Sequence, residues 1–352
     1  MRESRMTSAE RLDALLSGQP LDRVPFLSFI LGFCAKNVGY PVAAIYSDPE
    51  KSFQAQVWTM EQYGYDSEPF YGYASYGGWE FGGEIKLPDG EYEQAPSHGR
   101  FAVEKEQDVE KLEPPDVKKA GMLPLAMQFS RLQQKNGLSP SVVVGGPFTI
   151  AGNICVVDTL CRWLIKKPEL VHRLLRLATD HVLDITRYWI DSFGKGVVTI
   201  QIWEPLASNQ IISPKQFERF VLPYQIELHE KILAMGIKNI LCHVCGEQNL
   251  NLPYWAQVPM GDSGIVSIGS EIDISTAIEY FGNNIVAGNI EPAIIQTGTP
   301  REIYELCRQA IEKGKRSPRG YALMQGCEVP INTPPYNLYS MKKAIDDFGW
   351  YE

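Results

Sequence analysis

Short apolar runs alternate with longer amphipathic stretches along most of this chain. The runs at 24–29, 141–145, 197–203, 239–245, 265–268, 284–287 and 321–325 are close to continuously apolar. That is the pattern of strands covered on both faces, as in a parallel sheet. Helix signals fall between them. Thr7-Ser8-Ala9-Glu10 forms a capping box ahead of Leu12, Leu15 and Leu16, with Gly18 as the stop. Pro168 opens a long helix with Leu170, Leu174, Leu177 and Ile185 on one face and Gly194 at its end. Ser213-Pro214 starts another, striped by Phe217, Phe220 and Val221. Thr299-Pro300-Arg301-Glu302 repeats the capping box before Ile303, Leu306 and Ile311, ending at Gly314.

Alternation of β and α on this scale predicts an α/β fold, and the number of strands favours a closed (β/α)8 barrel over an open sheet. The 352 residues suit one such domain over 1–352, with a helical extension at its start. The charged stretch 104–119 with Pro114-Pro115 reads as a surface connection. In a barrel the carboxyl ends of the strands form the catalytic face. Glu204, His243, Cys245, Glu271, Asn289 and Cys327 all stand at predicted carboxyl ends. Residues far apart in the chain would meet at one mouth.

The chemistry offered there is specific. His243 and Cys245, in Leu241-Cys242-His243-Val244-Cys245-Gly246, are two apart in a strand and share a face, while Cys242 and Val244 point the other way. Met324-Gln325-Gly326-Cys327-Glu328 supplies a second thiol. One imidazole and two thiols make a soft ligand set suited to zinc, and three protein ligands leave the fourth position open, as in catalytic sites. Taken singly, the same residues would pass for a core histidine and buried thiols. Glu271 is either a labile fourth ligand or the residue that opens the helix near Ile274. Glu204, in Gln201-Ile202-Trp203-Glu204-Pro205, needs a partner among apolar neighbours. It is a proton-handling residue or a hydrogen-bond anchor. Asn289 contacts substrate or serves turn chemistry beside Gly288. Gly146, in Gly145-Gly146-Pro147-Phe148, lets the chain bend close to a ligand or into the next helix. The aromatic, glycine-rich stretch 71–83, with Tyr73 among its rings, fits the wall of a pocket for a flat ligand and equally a packed hairpin.

Composition narrows the field. Hydrophobic residues at 44% and charged residues at 21% describe a globular chain with ample core. A net charge of −9 leaves no basic surplus for a nucleic-acid backbone. No apolar run reaches the length of a membrane span, and Met1-Arg2-Glu3-Ser4-Arg5 lacks the apolar stretch of a secretory leader, so the expectation is a cytoplasmic enzyme. The seven cysteines lack framework spacing, and Cys34, Cys155, Cys161, Cys242 and Cys307 read as small buried hydrophobes.

With these residues in view, the chain resembles the uroporphyrinogen decarboxylase superfamily over nearly its whole length. Met6-Thr7-Ser8-Ala9-Glu10-Arg11, Asp22-Arg23-Val24-Pro25, Gly146-Pro147-Phe148-Thr149, Ser213-Pro214-Lys215-Gln216-Phe217 and Gly288-Asn289-Ile290 carry the general resemblance. His243, Cys245 and Cys327 match the His-x-Cys and distant Cys of its zinc-dependent branch, the methylcobamide:coenzyme M methyltransferases. True decarboxylases carry an Arg-Gln-Ala-Gly-Arg element after the first strand. Here that stretch is Leu31-Gly32-Phe33-Cys34-Ala35-Lys36-Asn37, with one lysine, and the decarboxylase aspartate expected near Phe70 to Tyr73 has no counterpart. A binder of many carboxylates needs those arginines.

The resemblance implies a distorted (β/α)8 barrel whose zinc holds a thiol such as coenzyme M, displacing Glu271, for attack on the methyl of a methylated corrinoid. No Asp-x-His-x-x-Gly cobalamin signature is present, so the corrinoid is expected on a separate protein. Tetrapyrrole decarboxylation, transfer from a methyl donor to the corrinoid, and a non-catalytic accessory role are the rival readings.

Overall fold

The computed structural model describes residues 5–73 and 75–351, so residues 1–4 of the opening and Ala74 of the aromatic stretch lie outside the described residues. A small antiparallel hairpin comes first, β1 (Glu84–Lys86) with β2 (Ser97–Arg100). Six strands then form one wholly parallel sheet in sequence order. They are β3 (Ser141–Gly145), β4 (Thr199–Trp203), β5 (Ile240–Val244), β6 (Ile265–Ile268), β7 (Ile285–Ile290) and β8 (Tyr321–Gln325). Parallel neighbours in chain order require a helical crossover after each strand, which is the barrel winding.

The ring is completed irregularly. The apolar run 24–29 is not a regular strand: it meets β8 through one parallel bridge, Phe26 to Leu323. Leu323 N–H donates to Pro25 O and Leu27 N–H to Leu323 O, each at 2.9 Å. Pro25 has no N–H to extend that ladder, which is why the expected strand shrinks to a bridge. On its other side Asp66 N–H donates to Phe26 O at 2.7 Å, and the Phe26 and Tyr65 rings stack at 4.0 Å. The segment from Tyr65 to Tyr73 then runs to β3. Gln133 clamps it there, donating to Pro69 O at 2.8 Å and to Ser141 Oγ at 3.0 Å. Two irregular segments thus occupy the places of two strands, and the (β/α)8 barrel is distorted where they stand.

Local signals account for the helices. Thr7, Ser213 and Thr299 each accept from the N3 backbone N–H and are answered by Glu10, Gln216 and Glu302. The long helix Pro168–Phe193 is present, but its buried stripe is rotated from the expected one. Val171, Leu174, Ala178, Val182, Ile185 and Trp189 are buried, while Leu170 and Leu177 lie at its edge. The stretch 104–119 is tied down by buried Val109 and Leu112 and holds a short helix, Glu106–Lys111. Among the described residues no single helix is long and apolar enough to cross a membrane.

Candidate metal centre

At the carboxyl edge of the sheet the chains continue their ladders beyond the strands. Gly146 N–H donates to Trp203 O, Glu204 N–H to His243 O, Gly269 N–H to Val244 O and Gly326 N–H to Ile290 O. The expected polar residues are therefore delivered to one edge of the barrel. Glycines let the loops converge there. A Cβ on Gly269 would stand 2.9 Å from Gly246 N and 3.0 Å from Cys245 Cα, and one on Gly326 would stand 2.8 Å from Ser270 N. Real Cβ atoms do not approach backbone this closely, so any side chain here would push Cys327 away from Cys245.

His243, Cys245 and Cys327 meet as the sequence predicts. A ring nitrogen and the two Sγ atoms lie within 4.8 Å of one another. Cys242 and Val244 are fully buried and face away, as strand parity requires. Serine 267 fixes the imidazole from the neighbouring strand, opposite His243 in the β5–β6 register. Its Oγ is 2.9 Å from His243 Nδ1 and its hydroxyl donates to Met324 Sδ at 3.6 Å. With its donor spent, Ser267 accepts from Nδ1–H, which leaves the lone pair on Nε2. That Nε2 is buried and has no hydrogen-bond partner in the protein. An orphaned buried acceptor costs about 1–3 kcal/mol unless a ligand takes it. Of the two thiols, Cys245 keeps its proton, pushed up by its bond to Cys327, by burial and by the nearby Glu271 carboxylate. Cys327, accepting the Cys245 S–H hydrogen bond, is held well below the ordinary thiol range against the effect of burial. An imidazole lone pair, a thiolate and a second thiol fit a zinc ion.

The other candidates are placed less centrally. Glu271 is exposed, accepts from Ser270 Oγ at 3.4 Å and leans over Gly269 towards Cys245, outside the three-donor group. Asn289 spends its amide on the loop below, donating to Gly269 O at 3.0 Å and Ile272 O at 2.6 Å. Glu204 is fully buried in a closed cage. It accepts from Phe148 N at 3.1 Å, Thr149 N at 2.7 Å, Gln225 Nε2 at 2.7 Å and the Thr149 hydroxyl. Four donors fill a carboxylate's acceptor sites, so the geometry is that of an anchor at the start of the helix Pro147–Cys155. Burial pushes Glu204 up to about 7, and those donors pull the other way. Gly146 serves this cage rather than a ligand: a Cβ there would stand 2.1 Å from Glu204 Oε2. Tyr73 is buried in a turn-rich loop rather than a hairpin, its hydroxyl donating to Glu80.

Besides Ser267, three neighbours of the His243, Cys245 and Cys327 group escaped the sequence reading. Phe29 lies 5.5 Å from the His243 ring and 4.5 Å from Trp203, which is itself 6.0 Å from His243, so two rings shield the imidazole. Glu328 sits beside Cys327 and accepts from Gly32 N at 2.9 Å, with burial pushing it up to about 8. The signals were present as a lone serine in Ile265-Val266-Ser267-Ile268 and an acid beside the distal cysteine.

Comparison with known proteins places the fold and the family. The family model described as uroporphyrinogen decarboxylase (URO-D) matches residues 7–348. The methylcobamide:CoM methyltransferase MtbA of Methanosarcina acetivorans is 27% identical, over 98% of this chain and 99% of its own. A uroporphyrinogen decarboxylase of Trichodesmium erythraeum is also 27% identical, but over 70% of this chain and 69% of its own. A solved methyltransferase from Methanosarcina mazei superposes with a TM-score of 0.82 at 24% identity, covering 98% of this chain and 99% of that one, and so shares the fold.

Proposed function

The chain belongs to the uroporphyrinogen decarboxylase (URO-D) family, and we propose that within it this protein moves a methyl group from a methylated corrinoid to a zinc-activated thiol. The full-length relative MtbA is named for transfer of methyl from methylcobamide to coenzyme M, and a small thiol of that kind is the acceptor in this reading. The observation that carries it is the meeting of His243, Cys245 and Cys327 within 4.8 Å, beside an imidazole nitrogen with no other partner.

These three residues would hold zinc and leave one position for the acceptor. Zinc bound there supplies a Lewis acid that lowers the pKa of the acceptor thiol, which near ~8.5 is mostly protonated at neutral pH. Ser267 keeps the His243 ring turned so that Nε2 is the nitrogen left for the metal. Phe29 and Trp203 shield one side of the imidazole, and Glu271, outside the three-donor group, would be the labile fourth ligand that the acceptor displaces. The corrinoid comes on a separate cytoplasmic protein, and the chain works as one barrel unit.

Decarboxylation of a tetrapyrrole is the weaker reading, because its substrate bears many carboxylates. The loops following β4 to β8, at 204–213, 245–251, 269–273, 291 and 326–334, hold no lysine or arginine, and Glu247, Glu271, Asp273 and Glu291 are their acidic residues outside the buried pockets. A polyanion finds no cationic partner there.

The test is zinc content together with methyl transfer from methylcobalamin to a panel of thiols, for the wild type and Cys245→Ala. Stoichiometric zinc and thiol methylation, both lost in the variant, are expected. Metal-replete protein without zinc and without thiol alkylation would overturn the reading.

A further inference from the structure

Away from the metal centre the barrel wall contains a cavity of about 20 Å³ between the loop from Tyr71 to Glu80, β3 and the long helix Pro168–Phe193. Its lining is largely apolar, with Tyr71, Met122, Val143 and Ile185 among the walls, and it includes Glu80 and His181. Glu80 gives one oxygen to the Tyr73 hydroxyl, while its Oε2 is buried with no hydrogen-bond partner. His181 is 2% exposed and has no partner on either ring nitrogen. A carboxyl oxygen and an imidazole without partners on one small cavity are a costly arrangement, about 1–3 kcal/mol for each orphaned group.

The cavity is the right size for one solvent molecule, which needs roughly 10–15 Å³ and at least two polar partners. We propose that it is an internal hydration site, in which one water molecule joins Glu80 Oε2 to a nitrogen of His181. The neutral imidazole offers one N–H and one lone pair, so water can accept from the ring and donate to the carboxyl, or the reverse. Burial holds His181 down to about 3 and pushes Glu80 up to about 7, which keeps the ring uncharged and suits a shared water rather than an ion pair.

The bridge has a structural consequence for the metal centre. It completes a chain from Tyr73 through Glu80 to the long helix and so pins the aromatic loop. Tyr73 N–H donates to the Tyr76 hydroxyl at 3.1 Å. The Tyr76 ring packs on Trp203 at 5.6 Å, and Trp203 shields His243. Glu80 and His181 are therefore positioning residues for the wall of the site, whatever reaction the site performs.

A high-resolution crystal structure of the wild-type protein tests this directly. A solvent peak within hydrogen-bonding distance of both Glu80 Oε2 and one His181 nitrogen is expected. A cavity without density, or direct contact between the two side chains, would overturn it. A second test uses chemical denaturation of Glu80→Met and His181→Leu, singly and together, in a Tyr73→Phe background that leaves no stranded hydroxyl. Each single change should lower the folding equilibrium constant roughly tenfold, because it strands the water and the other partner. The double variant should be no worse than the weaker single one, since both polar ends are gone. Losses that multiply would show that the two residues do not share a ligand.

Discussion

His243 illustrates what a single residue owes to its neighbour. Its value as a ligand rests on which nitrogen carries the proton, and Ser267 decides that from the adjacent strand. Ser267→Ala removes the acceptor for Nδ1–H, so zinc affinity should fall by about 10–100-fold in competition with a chelator, while the fold is retained. The meeting of His243, Cys245 and Cys327 was legible in the sequence because thiols and imidazoles at strand parity are rare. Ser267 was not, because its role depends on the register between two strands. Glu204 was open between two roles, and only the three-dimensional cage separates them. Glu204→Gln places an amide N–H₂ among four donors. It should cost about 1–3 kcal/mol in denaturation while zinc content stays unchanged, whereas a proton-handling role predicts lost turnover in a protein of normal stability. Glu80 carries a pH signature. Its folded value, pushed up to about 7 by burial, lies above the ordinary 4.5, so the folded chain binds this proton more tightly than the unfolded chain. Its contribution is full below about 4.5 and is lost as pH rises through about 7. Stability measured from pH 4 to 8 should therefore lose part of its downward slope in Glu80→Gln, and an unchanged slope would contradict the burial argument.

Elements were most legible where the determinants are local. The capping boxes at Thr7, Ser213 and Thr299 need only four residues each, and all three helices begin where those residues place them. The segment 24–29 shows the limit. Its apolar character is real, since Val24, Phe26, Leu27 and Phe29 are buried, but its hydrogen bonding depends on irregular neighbours and on Pro25. The long helix shows another limit, because choosing among adjacent apolar residues requires knowing what covers them. Packing can also override propensity within an element. Gly314 is the last residue of the helix Pro300–Gly314, where alanine is still the better helix former. A Cβ at that position would stand 2.2 Å from the Tyr321 ring of β8, and overpacking of this kind costs about 1–3 kcal/mol. Gly314→Ala should therefore destabilise despite the better helix former, and a raised melting temperature would show that the helix can shift away from the sheet.

On the scale of the whole molecule the barrel must close without a regular first or second strand, and charge does part of that work. The Asp66 carboxylate is buried between Arg11 and Arg23, with side-chain exposures of 0%, 1% and 12%. It also accepts from Phe26 N at 2.7 Å. Arg11 in turn reaches Asp22 at 2.8 Å, so the first helix, the segment 24–29 and the start of the next segment are joined at one point. The sequence displayed Arg11, Asp22 and Arg23 as part of a familiar opening, but Asp66, the common partner of the two arginines, lies 55 and 43 residues beyond them and had no visible pattern. A buried pair adds little net stability when complete, because desolvation offsets attraction. Breaking it is different, since an uncompensated buried charge remains. Asp66→Ala would take from buried Arg11 one of its two carboxylates, leaving Asp22, and would leave Phe26 N–H without an acceptor. A loss of about 3–5 kcal/mol is expected, read as a lower denaturant midpoint with an unchanged slope. The exposed pair of Arg100 with Glu84 provides the contrast, for Glu84→Ala should move the midpoint by no more than about 1 kcal/mol. Equal effects of the two substitutions would mean that the closing segments are held by their apolar contacts alone, with the buried cluster a bystander. A large loss confined to Asp66→Ala would place the joint of the ring at that carboxylate.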